Sequence, residues 1–353
     1  MKGLILSGGT GTRLRPLTFT SAKQLLPVAN RPILCFAIDA LRDVGIHDIG
    51  IVVGTTAPEV KNTLGDGSSF GIQVTYLHQS EPLGLAHAVS LARPFLGEEP
   101  FVMMLGDNVI HGGFQHAMKQ FMQTRVDALV LTGPVDDPQH FGIVQLQGDR
   151  IVRLVEKPSR DLGNLALCGV YFFNPVIHAA IRAITPSPRG ELEITDAVQW
   201  LVDHHFPVSH TVVTSWWKDT GRPNDLLEAN RLLLEDLTPD IQGSIDHESV
   251  ITGPIQVGSG TTIRKSTLRG PISIGHNVHI ENAYIGPYTS IGDDVTIHGT
   301  DVEYSVILSG CIIDQAPRLD QCLLGRYVEI VRTTRNPRSV RMVLGDQSIC
   351  EWS

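Results

Sequence analysis

The stretch Ile251-TGPIQVGSGTT-Ile263 is followed by Leu268-RGPISIGHNVH-Ile280 and by Ile285-GPYTSIGDDVT-Ile297. Set beneath one another, the three align at a step of seventeen residues. Val257, Ile274 and Ile291 form one aliphatic column, each followed by a glycine (Gly258, Gly275, Gly292). Ile263, Ile280 and Ile297 form a second column, and Ile251, Leu268, Ile285 and Val302 a third. Three inward columns five or six residues apart predict a three-sided coil, with short strands as faces and turns as corners. An ordinary β-sandwich would not hold its glycines in so regular a register.

This repeat resembles the hexapeptide-repeat, left-handed β-helix family. After Leu308 the pattern decays, and Arg326, Arg332, Arg335, Arg338 and Arg341 crowd the tail. They read as a solvated rim, a capping element or a subunit contact.

Toward the N-terminus, a polar, helix-breaking stretch around residues 238–249 separates the repeat from a different pattern. Strand-like runs (GLILS, IGIVV, IQVTYL, FVMMLG) alternate there with helix-like ones, among them Ile33 to Val44, a run before Gly65, and Leu85 to Ala92. Near-continuous apolar strands separated by helices predict an α/β domain with a mostly parallel sheet covered on both faces. Ligands of such sheets lie at the carboxyl ends of the strands. Two domains follow, 1–237 and 238–353, as expected for a chain of 353 residues.

Apolar residues make up 42% of the chain and charged residues 18%, without low-complexity runs, which excludes a disordered protein. The apolar runs are strand-sized, so neither a signal peptide nor a membrane span is read, and a cytoplasmic location is expected. Cys35, Cys168, Cys311, Cys322 and Cys350 are scattered without zinc spacing and read as reduced thiols. A net charge of -9 argues against nonspecific nucleic-acid binding.

The first strand runs into LILSGGTGTRLRPLT, residues 4 to 18. Gly8, Gly9 and Gly11 leave backbone N–H groups uncovered, which suits phosphate oxygens. No Gly-Lys-Ser/Thr follows, so this is not a P-loop, and Gly9-x-Gly11-x-x leads to Leu14, so it is not the dinucleotide fingerprint. Arg13 and, in SAKQLLP, Lys23 add two cations able to neutralise a triphosphate from the other side.

SGGTGTRLRPLT with KQLLPVANRPIL resembles the signature of the sugar-1-phosphate nucleotidylyltransferases, and the whole chain resembles their long-form glucose-1-phosphate thymidylyltransferase branch with its added repeat domain. QSEPLGLAHA (79–88), LGDN (105–108), FGIV (141–144), VEKP (155–158), CGVYFF (168–173), RGELEITD (189–196) and WKDTG (217–221) extend the match. The resemblance implies a Rossmann-like catalytic domain followed by the left-handed β-helix. It also implies attack of a sugar-1-phosphate oxygen on the α-phosphorus of dTTP, releasing pyrophosphate. The nucleophile is already an anion, so charge neutralisation and in-line placement matter more than a base.

The resemblance further implies residue roles. Asp107 and Asp219 would hold Mg²⁺, a hard ion that takes carboxylate and phosphate oxygens. Arg13 would meet the leaving pyrophosphate and Lys23 the phosphates at the reacting centre. Lys157 would grip the sugar phosphate, with Glu156 accepting from sugar hydroxyls and Arg189 adding a phosphate contact. Gln79 would read the pyrimidine edge and Gly84 let the backbone approach the base. Gly142, Leu167 through its backbone, and Tyr171 would hold the sugar. Leu83 departs from the aspartate usual in short-form relatives, beside the base.

Three alternatives stay open. UTP presents the same hydrogen-bonding edge as dTTP and differs by one methyl. An acetyltransferase activity would use a histidine of the repeats, His276, His279 or His298. A non-catalytic sugar-nucleotide sensor would have lost the cationic and metal-binding residues, which here are all present. The β-helix itself reads as an assembly element of a homo-oligomer.

Overall fold

The computed structural model describes residues 1–332 and 345–351. They group into two compact units. Met1–Thr10, Ser21–Leu25 and Ile33–Asp219 form the first; Gly11–Thr20, Leu26–Pro32 and the chain from Thr220 onward form the second.

In chain order the first unit is built from β1 (Lys2–Ser7), α1 (Ile33–Arg42), β2 (Asp48–Val53), α2 (Ala57–Leu64), β3 (Gln73–His78), α3 (Leu85–Leu91), β4 (Phe101–Leu105) and β5 (Asn108–Ile110). It continues with α4 (Gln115–Gln123), β6 (Ala128–Pro134), β7 (Gly142–Gln147), β8 (Arg150–Glu156), β9 (Leu165–Phe173), α5 (Ile177–Ala183), α6 (Ile194–Asp203), β10 (Val208–Val212) and β11 (Trp217–Asp219). β1 lies between β2 and β4, and β2 carries β3 on its far side, all in parallel. The parallel pairing is what the alternating pattern predicts, and the order is that of a mononucleotide-binding half. Alternate residues of β1 serve opposite faces: Ile5 packs in one core cluster, Leu4 and Leu6 in the other.

The other half of the sheet is mostly antiparallel, with β10 added parallel to β6 at its margin. β9 runs against β4, β6 and β7, and β7 returns as β8. A register shift between Leu167 and Tyr171 interrupts β9, and Gly169 sits there at φ 72°. A Cβ at Gly169 would come within 2.8 Å of Asn108 Nδ2, so the bulge also makes room for the segment after β4.

The second unit stacks short parallel strands in three sheets, in keeping with the left-handed β-helix. Ile255–Val257, Ile272–Ile274 and Thr289–Ile291 belong to one face. Thr262–Arg264, His279–Glu281 and Thr296–His298 belong to the second, and Thr267–Arg269 with Tyr284–Ile285 to the third. The predicted columns are buried, with one exception. Ile251 is 37% exposed, because its strand, Val250–Thr252, is the first of its sheet and pairs on one side only.

The coil is longer than the visible repeat at both ends. Asp240–Ile241 and Ser244–Ile245, inside the stretch that reads as a breaker, already pair with the next strands. Beyond Leu308 the stacking continues to Glu329–Val331. The pattern fades because one corner loses a residue: Ile285 pairs with Val302, yet Ile291 pairs with Ile307. The glycines after the first column are required by stacking rather than by a left-handed backbone. A Cβ on Gly258 would stand 2.6 Å from the Gly275 backbone. Pro223–Glu235, here α7, also belongs to this unit.

Candidate active site

The charged centre of the first unit forms where β4 ends. Asp107 follows Gly106, and β5 pairs antiparallel with β11 so that Asp219 stands opposite Asn108. This short ribbon brings the two aspartates together. Lys23, in the turn Lys23–Leu25, is 7% exposed; its Nζ bonds the Asp107 carboxylate and lies 3.9 Å from Asp219 Oδ1. A buried ammonium is tolerated only with such partners.

Both carboxylates thus converge on a position already shown to accept positive charge. Among the described residues no three His, Cys, Asp or Glu side chains cluster as a metal site. Two carboxylates suit a hard divalent ion that completes its shell with phosphate oxygens and water. Asp107 and Asp219 fit that requirement.

Three buried polar atoms in the same segments lack a hydrogen-bond partner: Ser7 Oγ at the end of β1, Gln24 Oε1 beside Lys23, and Asn108 Oδ1 beside Asp107. Each such atom costs about 1–3 kcal/mol unless something fills its valence. Sequence reading passed over all three, although each adjoins a residue or motif it singled out.

Next to this centre lies the second predicted group. An added Cβ on Gly8 would sit 3.2 Å from Gln79 Oε1, so the amide lies over the glycine turn. Gln79 Nε2 contacts the carbonyl of Gly84 at 3.3 Å and His87 Nδ1 at 3.0 Å. His87, in the quoted motif but given no role, therefore orients the amide. Gly84 has φ 107° and would carry a Cβ only 2.4 Å from the Leu192 carbonyl oxygen. What comes close to Gly84 in the structure is the Leu192 backbone, which also bonds Leu83 and Ala86. Gly9 is exposed, near Gln24.

The third group assembles on β7, β8 and β9. Gly142 pairs with Glu156 across the hairpin. A Cβ there would meet Leu167 Cδ1 at 2.8 Å, Glu156 Oε2 at 3.0 Å and Thr195 Oγ1 at 3.0 Å. Thr195 Oγ1 donates to Glu156 Oε2 at 2.7 Å. Glu156 Oε1 lies 3.7 Å from Lys157 Nζ and 3.5 Å from Arg189 Nη1, so one carboxylate holds both cations. Arg189 also pairs with Glu191 at 3.1 Å and Glu193 at 3.3 Å. Lys157 adopts φ 43°.

Burial raises the Glu193 carboxyl above its ordinary range, against the Ser187 hydrogen bond. It does the same for Asp196, with Glu156 adding to the effect. The buried Tyr171 hydroxyl is pushed up by burial and then by the Glu156 charge. Thr195 and Glu193 are the members of this group that sequence reading did not assign.

The remaining predicted residues lie in the second unit. Gly11, at φ 64°, opens the turn Thr12–Leu14, and Arg13 is exposed within it. The coil histidines each bond a side chain of the adjoining rung: His276 to Ser259 at 3.0 Å, His279 to Thr262 at 2.7 Å and His298 to Asp314 at 2.7 Å. Of the tail arginines, Arg335, Arg338 and Arg341 lie outside the described residues.

Residues 2–236 match the model of the nucleotidyl transferase family. The chain belongs to that family. As a nucleotidyl transferase it is 47% identical over the whole of both chains to a glucose-1-phosphate thymidylyltransferase of Streptomyces griseus. It is 43% identical, over 99% of each chain, to the low-salt glycan biosynthesis nucleotidyltransferase Agl11 of Haloferax volcanii. A Bacillus anthracis crystal structure provisionally named glucose-1-phosphate thymidylyltransferase superposes with a TM-score of 0.64 at 35% identity, covering 68% of this nucleotidyl transferase and 97% of that chain. Members of the family generally need a divalent metal ion. Among its described residues no helix is long and apolar enough to cross a membrane.

Proposed function

We propose that this chain is a glucose-1-phosphate thymidylyltransferase, converting dTTP and glucose-1-phosphate to dTDP-glucose and pyrophosphate. The observation that carries the proposal is the buried Lys23 held between Asp107 and Asp219, in a chain 47% identical along its full length to an enzyme of that name. A sugar-phosphate oxygen forms the new bond to the α-phosphorus, and the bond from that phosphorus to the bridging oxygen breaks. Pyrophosphate departs with the electron pair.

The work of the chain is to bring two polyanions together and spread the charge that develops. Lys157 and Arg189 hold the sugar phosphate, while Glu156, Gly142, Leu167 and Tyr171 hold the sugar. Lys23 and Arg13 face the triphosphate, with the N–H groups of Gly8, Gly9 and Gly11. Mg²⁺ bound by Asp107 and Asp219 would neutralise phosphate charge. With the Gln79 amide nitrogen engaged by Gly84 and His87, Oε1 is left to accept a hydrogen bond. Thymine and uracil offer an N3–H donor to it, and cytosine does not.

Residues 1–237 make up the catalytic domain in this reading, supported by a family match that ends at residue 236. The β-helix, 238–353, joins copies into a homo-oligomer. A cytoplasmic location is supported by the substrates and by five free cysteines.

The test supplies glucose-1-phosphate with dTTP, UTP, GTP, CTP or ATP and follows pyrophosphate release with and without EDTA. Metal-dependent release with dTTP is expected. Comparable use of UTP would widen the activity to both pyrimidines, and silence with every nucleotide would overturn the reading.

A further inference from the structure

The glycine-rich signature splits between the two units. Its end, Gly11–Thr20, and the hairpin Leu26–Pro32 both group with the β-helix, whereas Ser21–Leu25, the short segment between them that carries Lys23, belongs to the first unit. Two observations inside the second unit show how the flanks are held.

The first is a buried polar clamp on one face of the coil. Ser273 and Ser290 stand at the middle of their strands, where a side chain of a bare coil points to solvent; here they are 3% and 0% exposed. Asn30 Nδ2 donates to the Ser273 carbonyl at 3.0 Å and to the Ile291 carbonyl at 2.8 Å. Asn230, on α7 and fully buried, accepts from the Ala29 N–H at 2.8 Å and the Ser290 hydroxyl at 2.6 Å, and donates to the Tyr288 carbonyl at 2.9 Å. Ala29 and Asn30 hold φ values of 48° and 57°, a conformation that non-glycine residues keep only when their surroundings fix it.

The second is an apolar seat for the signature loop. Leu17 and Leu26 line a small recess with Leu226, Leu308, Leu323 and Leu324, and Leu17 Cδ2 lies 3.4 Å from the position of an added Cβ on Gly325.

We infer that the β-helix unit is a positioning device for the nucleotide-binding signature, with Asn30 and Leu17 as its positioning residues. Neither touches substrate. They anchor the chain on both sides of Lys23 and fix the turn that carries Arg13. A chain segment tied at both ends loses little further freedom when triphosphate binds, so the anchoring is felt as nucleotide affinity. The sugar-phosphate residues, all on the first unit, are not tied in this way.

This inference rests on the thymidylyltransferase reading, and the test separates the two. Asn30→Ala and Leu17→Ala are made in the full chain. Initial rates are measured with each substrate varied, and amide hydrogen exchange is followed along the chain. In each variant KM for dTTP should rise about tenfold, while KM for glucose-1-phosphate changes less than about twofold. Exchange should quicken over residues 11–32 and stay unchanged in β1, β2 and β4. Unchanged dTTP kinetics would overturn the inference, with or without faster exchange. So would equal rises in both KM values accompanied by a general fall in melting temperature. If Asn30→Ala fails to fold, Leu17→Ala, which removes only apolar packing, decides. If the wild type transfers no thymidylyl group, the functional reading fails by itself, and the exchange pattern still decides whether these residues anchor the segment.

Discussion

The two units solve opposite problems. In the sheet, residues far apart in sequence are gathered at strand ends: Lys23 meets Asp107 across 84 residues, and Asp219 joins them through a three-residue strand. In the coil, side chains meet across 16 or 17 residues, as in His298 with Asp314 and Thr262 with His279. Convergence of distant segments gathers buried charge and unfilled valences in one place. Repetition of near neighbours makes regular faces on which each rung satisfies the next. The difference teaches where chemistry can be built: the coil's hydrogen bonds are spent between its own rungs and on the Asn30–Asn230 clamp, whereas Ser7, Gln24 and Asn108 are left open in the sheet unit.

The comparison breaks most readily at the charged centre. Asp107→Asn should lower turnover about a thousandfold, because it removes a charged partner of buried Lys23 together with a proposed metal ligand. Steady-state rates over a series of metal concentrations check this, and turnover within tenfold of wild type would contradict the assignment. Lys157→Ala should cost about two orders of magnitude in rate, ~3 kcal/mol of transition-state stabilisation, read as kcat for pyrophosphate release.

A coil variant should act on folding instead. Gly258→Ala places a methyl group 2.6 Å from the Gly275 backbone. The rungs must part, at about 1–3 kcal/mol, which a shift in the denaturant midpoint will show. The smallest effect is in pH. Burial holds His178 and His210 below the ordinary value of 6.5. The unfolded chain therefore binds more protons than the folded one as pH falls below 6.5. Stability is full above that value and is lost as pH drops through the folded values. His178→Leu should flatten the fall in melting temperature between pH 7 and pH 5 relative to wild type.

The same contrast explains what could be read beforehand. The parallel half of the sheet was legible because β1, β2 and β4 are buried on both faces and written as unbroken aliphatic runs. The antiparallel half was not, since pairing of β9 with β4, β6 and β7 depends on a bulge at Gly169 that leaves no periodic trace. The coil's columns were legible until one corner lost a residue. At the candidate site, Lys23, Asp107, Asp219, Glu156 and Lys157 stood in motifs, but His87, Thr195 and Glu193 act through contacts with residues distant in sequence. The exposure of Ile251 follows from being first in a stack, which no local pattern encodes.

The missing corner residue between Val302 and Ile307 also bears on how this chain could be lengthened or shortened. A rung is bounded by its inward columns, not by a fixed count, so a corner can shed a residue while every later side chain keeps its facing. Duplicating or excising rungs should therefore succeed when cuts run from one column position to its stacked partner, such as Ile280 to Ile297 or Ile297 to Ile313. A cut placed by counting seventeen past Ile297 would land one residue late, on Asp314, and set a carboxylate where an inward isoleucine stacks, while the strands that follow would fall back into register.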